Sequence, residues 1–496
     1  MTELVFLAAT QLARMIRERV VSSVEVVDAY LQQIARYNDK LHAICTLDAE
    51  NSRQRAQEAD EALARGENWG ILHGVPITIK DTFETAGLRT TSGYKSLKNY
   101  IPQRDAVAVA RLGAGGAIIL GKTTPGLTGG GDYQGINDIF PSVNNPWNLD
   151  YTSGGSSSGS AAAIAAGLSA LDLCADFGGS IRQPAHFCGL FGFKPTDRGV
   201  PTAGNIPQGI GSIRQMMTVG ALARSLEDLR LCLSLIAGAD RRQPDIPPMP
   251  LDTPSERDHQ ILQLAWIDEL SIFPVATEIK SAMQSAAKKL ADAGKKVERW
   301  QPDFDFLVAW QTYYILSTYI VPFTQSMSFD YVSQSLAFLW REGTQGDREL
   351  RQLSNLPGMA LPIVFNTTLK GYFETLQARD QLIERMDREL EQWDAWLCPV
   401  AITSAFTHRP RGTAVKVDGR QVPYMMASGA YTVPFNLTGH PVVVIPIGHT
   451  SSGLPIGMQI VGKRWREMEL LAVAQKLVEV VGQFQLPPGY SSDVRS

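Results

Sequence analysis

The chain has 496 residues, which is long enough for a large hydrophobic core and for two to four domains. Hydrophobic residues make up 44% of it and charged residues 19%, so disordered and collagen-like classes are excluded. The net charge is −4 and the sequence has no basic stripe, so no nucleic-acid partner is expected.

Cysteine and histidine spacing gives no sign of a disulfide framework or a metal site. The five cysteines are scattered, and the histidines include no His-x-x-x-His pair. No run of 18 apolar residues is present, and the apolar run at the N-terminus is too short for a signal segment. We therefore expect a protein of a reducing, cytoplasmic compartment without a membrane span.

The first 66 residues are predicted to be helical, with two helices between residues 10 and 66. Ser22 and Glu25 form a capping-box pattern at the start of an apolar periodic run. Residues 52–65 are rich in Ala and Glu, which predicts a solvated helix that ends at Gly66.

Short apolar runs alternate with helix-like segments after residue 66, which predicts an α/β fold. Strands are expected at 75–79, 117–120, 262–267, 442–447 and 455–461. Residues 125–160 form a loop-rich passage of the kind that carries function. A proline-rich linker is expected at 241–254, then a helix at 275–293 ended by Gly294, then further helices to about residue 395.

Two Gly- and Ser-rich stretches, residues 154–160 and 176–182, are the main candidates for a reactive site. Either one alone is typical of a polar turn. Together they allow free N–H groups to converge on one point, as an oxyanion hole requires, and Gly178 and Gly179 have no side chain to block a substrate carbonyl. Ser180 is then the natural nucleophile, although a serine hydroxyl needs a base to activate it.

Two residues are candidates for that base. His186 follows Ser180 by six residues and keeps a Ser-His-Asp triad open. Lys80 ends an apolar strand, where burial would lower the pKa of its amine and allow the neutral form to accept a proton. Alternatively, Lys80 pairs with Asp81 or with a distant acid, and the residues alone leave these alternatives open.

Residues 154–195 resemble the signature of the amidase signature family. The likeness extends to the motifs Gly74-Val75-Pro76, Lys80-Asp81, Gly121-Lys122-Thr123, Asn145-Pro146-Trp147, Ala223-Arg224-Ser225 and Gly453-Leu454-Pro455-Ile456-Gly457. It implies a single amidase domain over residues 1–496, with a large mixed twisted β-sheet surrounded by α-helices. The implied parts are N-terminal helices at 1–66, a catalytic core at 67–240, a linker and largely helical region at 241–395, and a return to the core sheet at 396–496.

The resemblance also implies a catalytic role for three side chains. Lys80 matches the family's catalytic lysine, Ser156 its bridging serine after a cis Gly155–Ser156 peptide, and Ser180 its nucleophile. This match favours Lys80 over His186 as the base.

Backbone groups and a loop are implied to surround the substrate. The N–H groups from Phe177 through Gly178 and Gly179 to Ser180 match the oxyanion hole, and Gly130 matches a loop that borders the substrate. The family mechanism requires no metal and no cofactor.

Three positions depart from the family pattern. Ser158 stands where the family often has Gly, and Phe177 stands where a smaller Thr or Ile is usual. Residues 209–220 lack the acid that usually precedes the glycine there. We expect the Phe177 ring to face the pocket and narrow it, rather than to pack behind the loop.

Three further patterns have structural interpretations. Residues 116–123 fit the phosphate-loop pattern, but their variable positions are an apolar strand, so nucleotide binding is not expected. Arg182 is expected to pair with an internal acid such as Asp176 and to hold the nucleophile loop. A cluster of aromatic residues is expected to pack in a helical core rather than to line an acyl pocket. It comprises Trp310, Tyr313, Tyr314, Tyr319, Phe323 and Trp340.

The implied function is hydrolysis of a small-molecule carboxamide through Lys80, Ser156, Ser180 and an acyl-enzyme. One alternative is the A subunit of the tRNA-dependent glutamine amidotransferase, which works with partner chains. A second alternative is a non-catalytic relative that serves as a binding protein. All three catalytic positions are filled, which argues against this alternative. The sequence leaves a homodimer and the acyl and amine specificity open.

Overall fold

A computed structural model describes residues 4–127, 132–206, 215–251, 261–324, 329–355, 358 and 368–490, with side chains except at 321–324 and 329–336. The strands are β1 Ile44–Leu47, β2 Pro76–Lys80, β3 Ile118–Thr123, β4 Asn144–Asn145, β5 Asn148–Thr152, β6 Leu171–Asp176, β7 Phe191–Lys194, β8 Thr218–Ala223, β9 Gln263–Trp266, β10 Lys296–Arg299, β11 Ala395–Pro399, β12 Val415–Val417, β13 Arg420–Val422, β14 Val442–His449 and β15 Pro455–Val461.

The α-helices in this part of the chain are α1 Ala9–Arg17, α2 Ser23–Leu41, α3 Ala49–Ala64, α4 Val107–Ala114, α5 Ser158–Ala165, α6 Arg182–Cys188, α7 Leu226–Ile236, α8 Thr277–Asp292, α9 Phe306–Thr324, α10 Phe329–Thr344, α11 Arg348–Ser354, α12 Leu369–Leu390, α13 Tyr424–Gly429, α14 Val433–Thr438 and α15 Glu467–Val481. Short 3₁₀ turns lie at Leu4–Phe6 and Lys95–Leu97.

One mixed sheet of 11 strands organises the described residues, in the order β1-β3-β2-β6-β8-β7-β14-β15-β11-β9-β10. Its two flanks contain parallel pairs, β3 with β2 and β2 with β6 on one side and β11 with β9 and β9 with β10 on the other. The strands between β6 and β11 are antiparallel throughout. Helices surround this sheet, so the predicted α/β class and mixed sheet are confirmed.

The five predicted strands are confirmed as β2, β3, β9, β14 and β15. Strands β2 and β15 are buried along their whole length. Residues 116–123 do not form a phosphate loop, because residues 118–123 are strand β3. The Lys122 amine is buried and donates to Phe83 O and Thr90 Oγ1.

The prediction of two helices between residues 10 and 66 is wrong. Three helices and strand β1 occupy that region, since the chain reverses at His42 (φ 55°) and Ile44 then pairs with Thr123 of β3. Helix α1 receives its cap from far along the chain, where the Asp228 carboxylate accepts the N–H groups of Ala9 and Thr10 at 3.0 and 2.9 Å. The predicted capping box of α2 is present, with Glu25 N–H donating to Ser22 Oγ at 3.1 Å.

Candidate active site

Lys80 and the Gly-rich loop after β6 are placed together by strand direction. Strand β2 runs parallel to β6, so Lys80 at the end of β2 lies at the same edge of the sheet as Asp176 at the end of β6. The chain between Thr152 and the start of α5 at Ser158 passes the same edge. This edge therefore gathers both Gly- and Ser-rich stretches around one lysine.

Lys80, Ser156 and Ser180 form a continuous chain of polar contacts. The Lys80 Nζ lies 2.8 Å from Ser156 Oγ, and Ser156 Oγ lies 3.1 Å from Ser180 Oγ. The Gly155–Ser156 peptide is cis, as the resemblance implies. The structure thus brings together the three side chains that sequence reasoning selected.

The Lys80 amine is held away from water and away from the acid next to it. Burial lowers the pKa of Lys80 to about 8, against the opposing effect of nearby buried acidic groups. Asp81 does not pair with it, since Asp81 Oδ1 lies 3.7 Å from Lys122 Nζ and Oδ2 accepts the N–H and hydroxyl of Thr91. The alternative of a Lys80–Asp81 pair is therefore wrong.

Ser157 is a contact that sequence reasoning missed. Its Oγ lies 2.9 Å from Lys80 Nζ, so the amine touches two serine hydroxyls at once. The signal was available in the run Ser156-Ser157-Ser158, where adjacent serines point to different neighbours. Ser158 bonds elsewhere, because its hydroxyl donates to Gly154 O and thereby ties the turn before the cis peptide.

Access from solvent is confined to two residues of this region. Between Thr152 and Asp197, a range described throughout, only Phe177 and Ser180 are partly exposed and the others are buried. A substrate can therefore reach the Ser180 hydroxyl, whereas Lys80 and Ser156 lie behind it, 1% and 4% exposed.

The Asp176 carboxylate holds the loop from Phe177 to Ser180 from below. It accepts the N–H of Gly179 at 2.8 Å and that of Ile181 at 3.0 Å. Burial alone would raise the pKa of Asp176, but the Arg182 guanidinium and the Asn436 amide outweigh it and hold the pKa well below the ordinary value. Among described residues, the N–H groups of Phe177, Gly178 and Ser180 donate no hydrogen bond.

Arg182 is an internal brace, as predicted. Its guanidinium is fully buried and contacts Asp176 Oδ1 at 2.9 Å, Thr432 O at 2.9 Å and Gln459 Oε1 at 3.0 Å. Asn436 Oδ1 accepts a further N–H from it. Every donor direction of the guanidinium is directed at protein, so Arg182 is not placed to bind a substrate.

His186 is not positioned as a base for Ser180. Its Nδ1 accepts the N–H of Gly457 at 2.6 Å, and its Nε2 lies 3.2 Å from the carbonyl oxygen of Thr403. Burial lowers the pKa of His186 to about 4. A Ser-His-Asp arrangement through His186 is therefore excluded by these contacts.

The predicted aromatic cluster divides into core and site residues. Trp310 is fully buried, whereas Trp340 is 65% exposed. Tyr313 reaches the loop itself, with its ring centroid 5.7 Å from that of Phe177 and its hydroxyl donating to Phe177 O at 3.1 Å. The core interpretation thus holds for both Trp310 and Tyr313, and Tyr313 in addition contacts the loop that carries Ser180.

Gly130 lies outside the described residues, as do residues 209–214 of the stretch 209–220. The next described residue, Asp132, has a buried carboxylate that accepts the N–H groups of Gly135 and Ile136 at 2.8 and 3.0 Å. Burial raises the pKa of Asp132 to about 6. In the part of the chain that is described, no group of three His, Cys, Asp or Glu residues could hold a metal, and no helix is long and apolar enough to cross a membrane.

Comparison with known proteins agrees with this geometry. The model of the family described as Amidase matches residues 25–471. The chain belongs to the amidase family. It is therefore an enzyme of a family of amide hydrolases, and the resemblance drawn from its motifs is confirmed.

Curated relatives of this amidase-family chain include components of a larger enzyme. The A subunit of the glutamyl-tRNA(Gln) amidotransferase of Thermosynechococcus vestitus is 33% identical over 483 residues, covering 94% of this chain and 96% of that protein. The protein of the same name from Roseiflexus sp. is 34% identical over 475 residues, covering 91% and 92%.

Solved structures of family members share the whole fold. The 6-aminohexanoate cyclic dimer hydrolase superposes with a TM-score of 0.80 at 25% identity, covering 98% of this chain and 99% of that one. Fatty acid amide hydrolase superposes with a TM-score of 0.76 at 23% identity, covering 97% and 86%, which shows the fold alone.

Proposed function

We propose that this amidase-family chain hydrolyses a small-molecule carboxamide with Ser180 as nucleophile, Ser156 as proton bridge and Lys80 as base. The observation that carries the proposal is the contact chain from Lys80 Nζ to Ser156 Oγ to Ser180 Oγ, at 2.8 and 3.1 Å, with only its last member open to solvent. The lowered pKa of Lys80, about 8, supports a neutral amine near physiological pH.

The reaction begins with a relay of two protons. The Ser180 hydroxyl proton passes to Ser156 Oγ while the Ser156 proton passes to the lone pair of the neutral Lys80 amine. Ser180 Oγ bonds to the amide carbon, and the electron pair of the C=O bond moves to oxygen. The N–H groups of Phe177, Gly178 and Ser180 are the candidates to bind that oxyanion, since Gly179 N–H is held by Asp176.

Collapse of the tetrahedral intermediate breaks the C–N bond. The leaving amine takes a proton back from Lys80 through Ser156, and an acyl ester remains on Ser180. Water then attacks the ester by the same proton route, which releases the carboxylic acid and restores the Ser180 hydroxyl.

A serine-reactive probe tests the nucleophile. We expect a fluorophosphonate to label the wild-type chain and not Ser180→Ala, and we expect Ser180→Ala to lose several powers of ten in kcat on any amide that the chain hydrolyses. The control is Ser142→Ala, since Ser142 is an exposed serine outside the site. A folded Ser180→Ala protein with normal turnover would remove Ser180 from the mechanism.

A second candidate function is supported by the curated relatives, whose name places them as the A subunit of an amidotransferase. In that case the chain would work within a complex of several chains and release ammonia from an amide for use elsewhere in that complex. Hydrolysis by the purified chain alone, measured over amides of graded acyl size, supports the free amidase. Activity only on glutamine and only with partner chains supports the amidotransferase role.

A further inference from the structure

The carbonyl groups of the loop after β6 are bound by hydroxyls from three other segments. The Tyr313 hydroxyl, on α9, donates to Phe177 O at 3.1 Å. The Tyr133 hydroxyl and Thr432 Oγ1 donate to Gly178 O at 3.0 and 2.8 Å.

The geometry of a trans peptide links each of these contacts to an N–H group. The C=O of one residue and the N–H of the next share a plane and point in opposite directions. A donor fixed on Phe177 O therefore fixes the direction of the Gly178 N–H. The corresponding contacts on Gly178 O fix the N–H of Gly179, which is bound by the Asp176 carboxylate. Tyr313 thus fixes the Phe177–Gly178 peptide, and the N–H of that peptide, on Gly178, has no hydrogen-bond partner among described residues.

The contact from Tyr313 also strengthens that N–H as a donor. Hydrogen bonds in a chain polarise one another, by about 10–30% per bond. A proton donated to Phe177 O draws electron density toward oxygen and leaves the Gly178 N–H more positive. The Tyr313 hydroxyl is a constant donor, because burial raises its pKa well above the ordinary value for tyrosine.

Packing leaves Tyr313 little freedom to move away. Its side chain is 5% exposed, and its ring lies between those of Phe177 and Tyr314, with centroids at 5.7 and 5.0 Å. A Cβ at position 178 would stand 2.7 Å from the Tyr313 hydroxyl, so only glycine there lets the hydroxyl approach the loop.

We propose that Tyr313 is a positioning residue for the oxyanion hole, and that its hydroxyl orients and strengthens the Gly178 N–H through the Phe177 carbonyl. The proposal rests on the proposed amide hydrolysis at Ser180. Tyr313 touches no reacting atom in this arrangement, and its effect is expected in the transition state, where negative charge develops on the substrate oxygen.

The first test compares Tyr313→Phe with Tyr319→Phe, which removes a hydroxyl from the same helix. We expect Tyr313→Phe to lower kcat on an anilide substrate about tenfold with little change in KM. This loss is smaller than the 10²–10³ fold for removing an oxyanion donor outright. Tyr319→Phe should match wild type. Equal kcat in Tyr313→Phe and wild type would overturn the proposal, as would a loss confined to KM.

The second test changes the donor strength without removing the ring. Fluorinated tyrosines at position 313 have more acidic hydroxyls and donate more strongly, so kcat should rise along the series from tyrosine to difluorotyrosine. The same series at position 319 should leave kcat unchanged. A flat or falling response at 313 contradicts the proposal even if Tyr313→Phe fails to fold. Failure of Ser180→Ala to lose activity would instead remove the underlying hydrolysis mechanism.

Discussion

Lys80 carries an amine into a site where water does not solvate it, and its chemistry follows from that placement. An exposed lysine is almost wholly charged at neutral pH, with a pKa of about 10.4. Burial disfavours the charged form and lowers the pKa of Lys80 to about 8, so a usable fraction of the amine is neutral. The nearby Asp172 and Asp176 limit that fall because they favour the charged form.

The pH profile of the free enzyme should report this amine. Because the base must be neutral, kcat/KM should rise with pH, reach half its plateau near pH 8 and stay flat above it. Lys80→Arg should be inactive, since a guanidinium does not give up its proton. A profile that is flat from about pH 6 to about pH 10, or full activity in Lys80→Arg, would assign the base to another group.

Ser157 provides a control for that assignment. Its hydroxyl oxygen accepts from the Lys80 amine and favours the charged form, so Ser157→Ala should lower the pKa of Lys80 further. The midpoint of the profile should then move to lower pH while Ser156 and Ser180 remain in place.

At the scale of elements, some strands and helices can be predicted from the sequence and others cannot. Strands β2, β14 and β15 are mostly apolar, and the start of α2 has its capping box within four residues. Strand β6 escapes sequence-based prediction because two of its six residues are aspartates, which normally interrupt an apolar run. Both are buried and hydrogen-bonded, so the strand survives through contacts with residues distant in sequence.

The candidate site divides in the same way. Lys80, Ser156 and Ser180 could be selected because they lie in dense motifs with a family resemblance. Thr432 could not, and Tyr313 could be named only as one member of an aromatic cluster, because both reach the loop after β6 from separations of more than a hundred residues. Single-sequence patterns record local constraint, and these two contacts are made only by tertiary packing.

Helices α10 and α13 meet through an unusual acid, Glu342, which gives a measurable pH dependence of stability. Its Oε1 accepts the N–H of Met425 at the start of α13, and Glu342 is 1% exposed. Burial raises the pKa of Glu342 to about 8, so the folded chain binds a proton there that the unfolded chain releases above about pH 4.3.

We expect the free energy of unfolding to fall as the pH rises from about 4.3 to about 8, by up to a few kcal/mol from this group. Glu342→Gln keeps the oxygen acceptor and removes the titration. It should therefore be less dependent on pH and more stable than wild type above pH 8. Urea unfolding of both proteins at several pH values measures the difference. If the free energy of unfolding depended on pH equally in both proteins, Glu342 would be charged in the folded state.

At the scale of the whole molecule, one buried guanidinium joins segments that are far apart in the chain. Arg182, at the start of α6, contacts Asp176 on β6, Asn436 on α14 and Gln459 on β15. These partners come from the predicted catalytic core and from the last hundred residues. The loop that carries Ser180 is thus fixed by both parts of the sheet.

Removing that guanidinium should destabilise the entire fold. Arg182→Ala leaves the buried Asp176 carboxylate without its cation, which typically costs about 3–5 kcal/mol. The control is Arg53→Ala, because the side chains of Arg53 and its partner Asp28 are 50% and 36% exposed and a surface pair is worth about 0–1 kcal/mol. Denaturant unfolding of the two variants measures the contrast, and similar stabilities would contradict a bracing role for Arg182.

The order of the strands also determines when each strand can pair during synthesis on the ribosome. Strand β7 ends at Lys194, but its neighbour β14 begins only at Val442. On the ribosome, one side of β7 therefore stays unpaired while about 250 further residues are synthesised. At 5–20 residues per second this wait lasts roughly 12 to 50 seconds. An unpaired strand side is a template for association with other chains. A nascent chain that stalls before β14 therefore lacks the middle of its sheet, and it should depend on chaperones in a way that the finished enzyme does not.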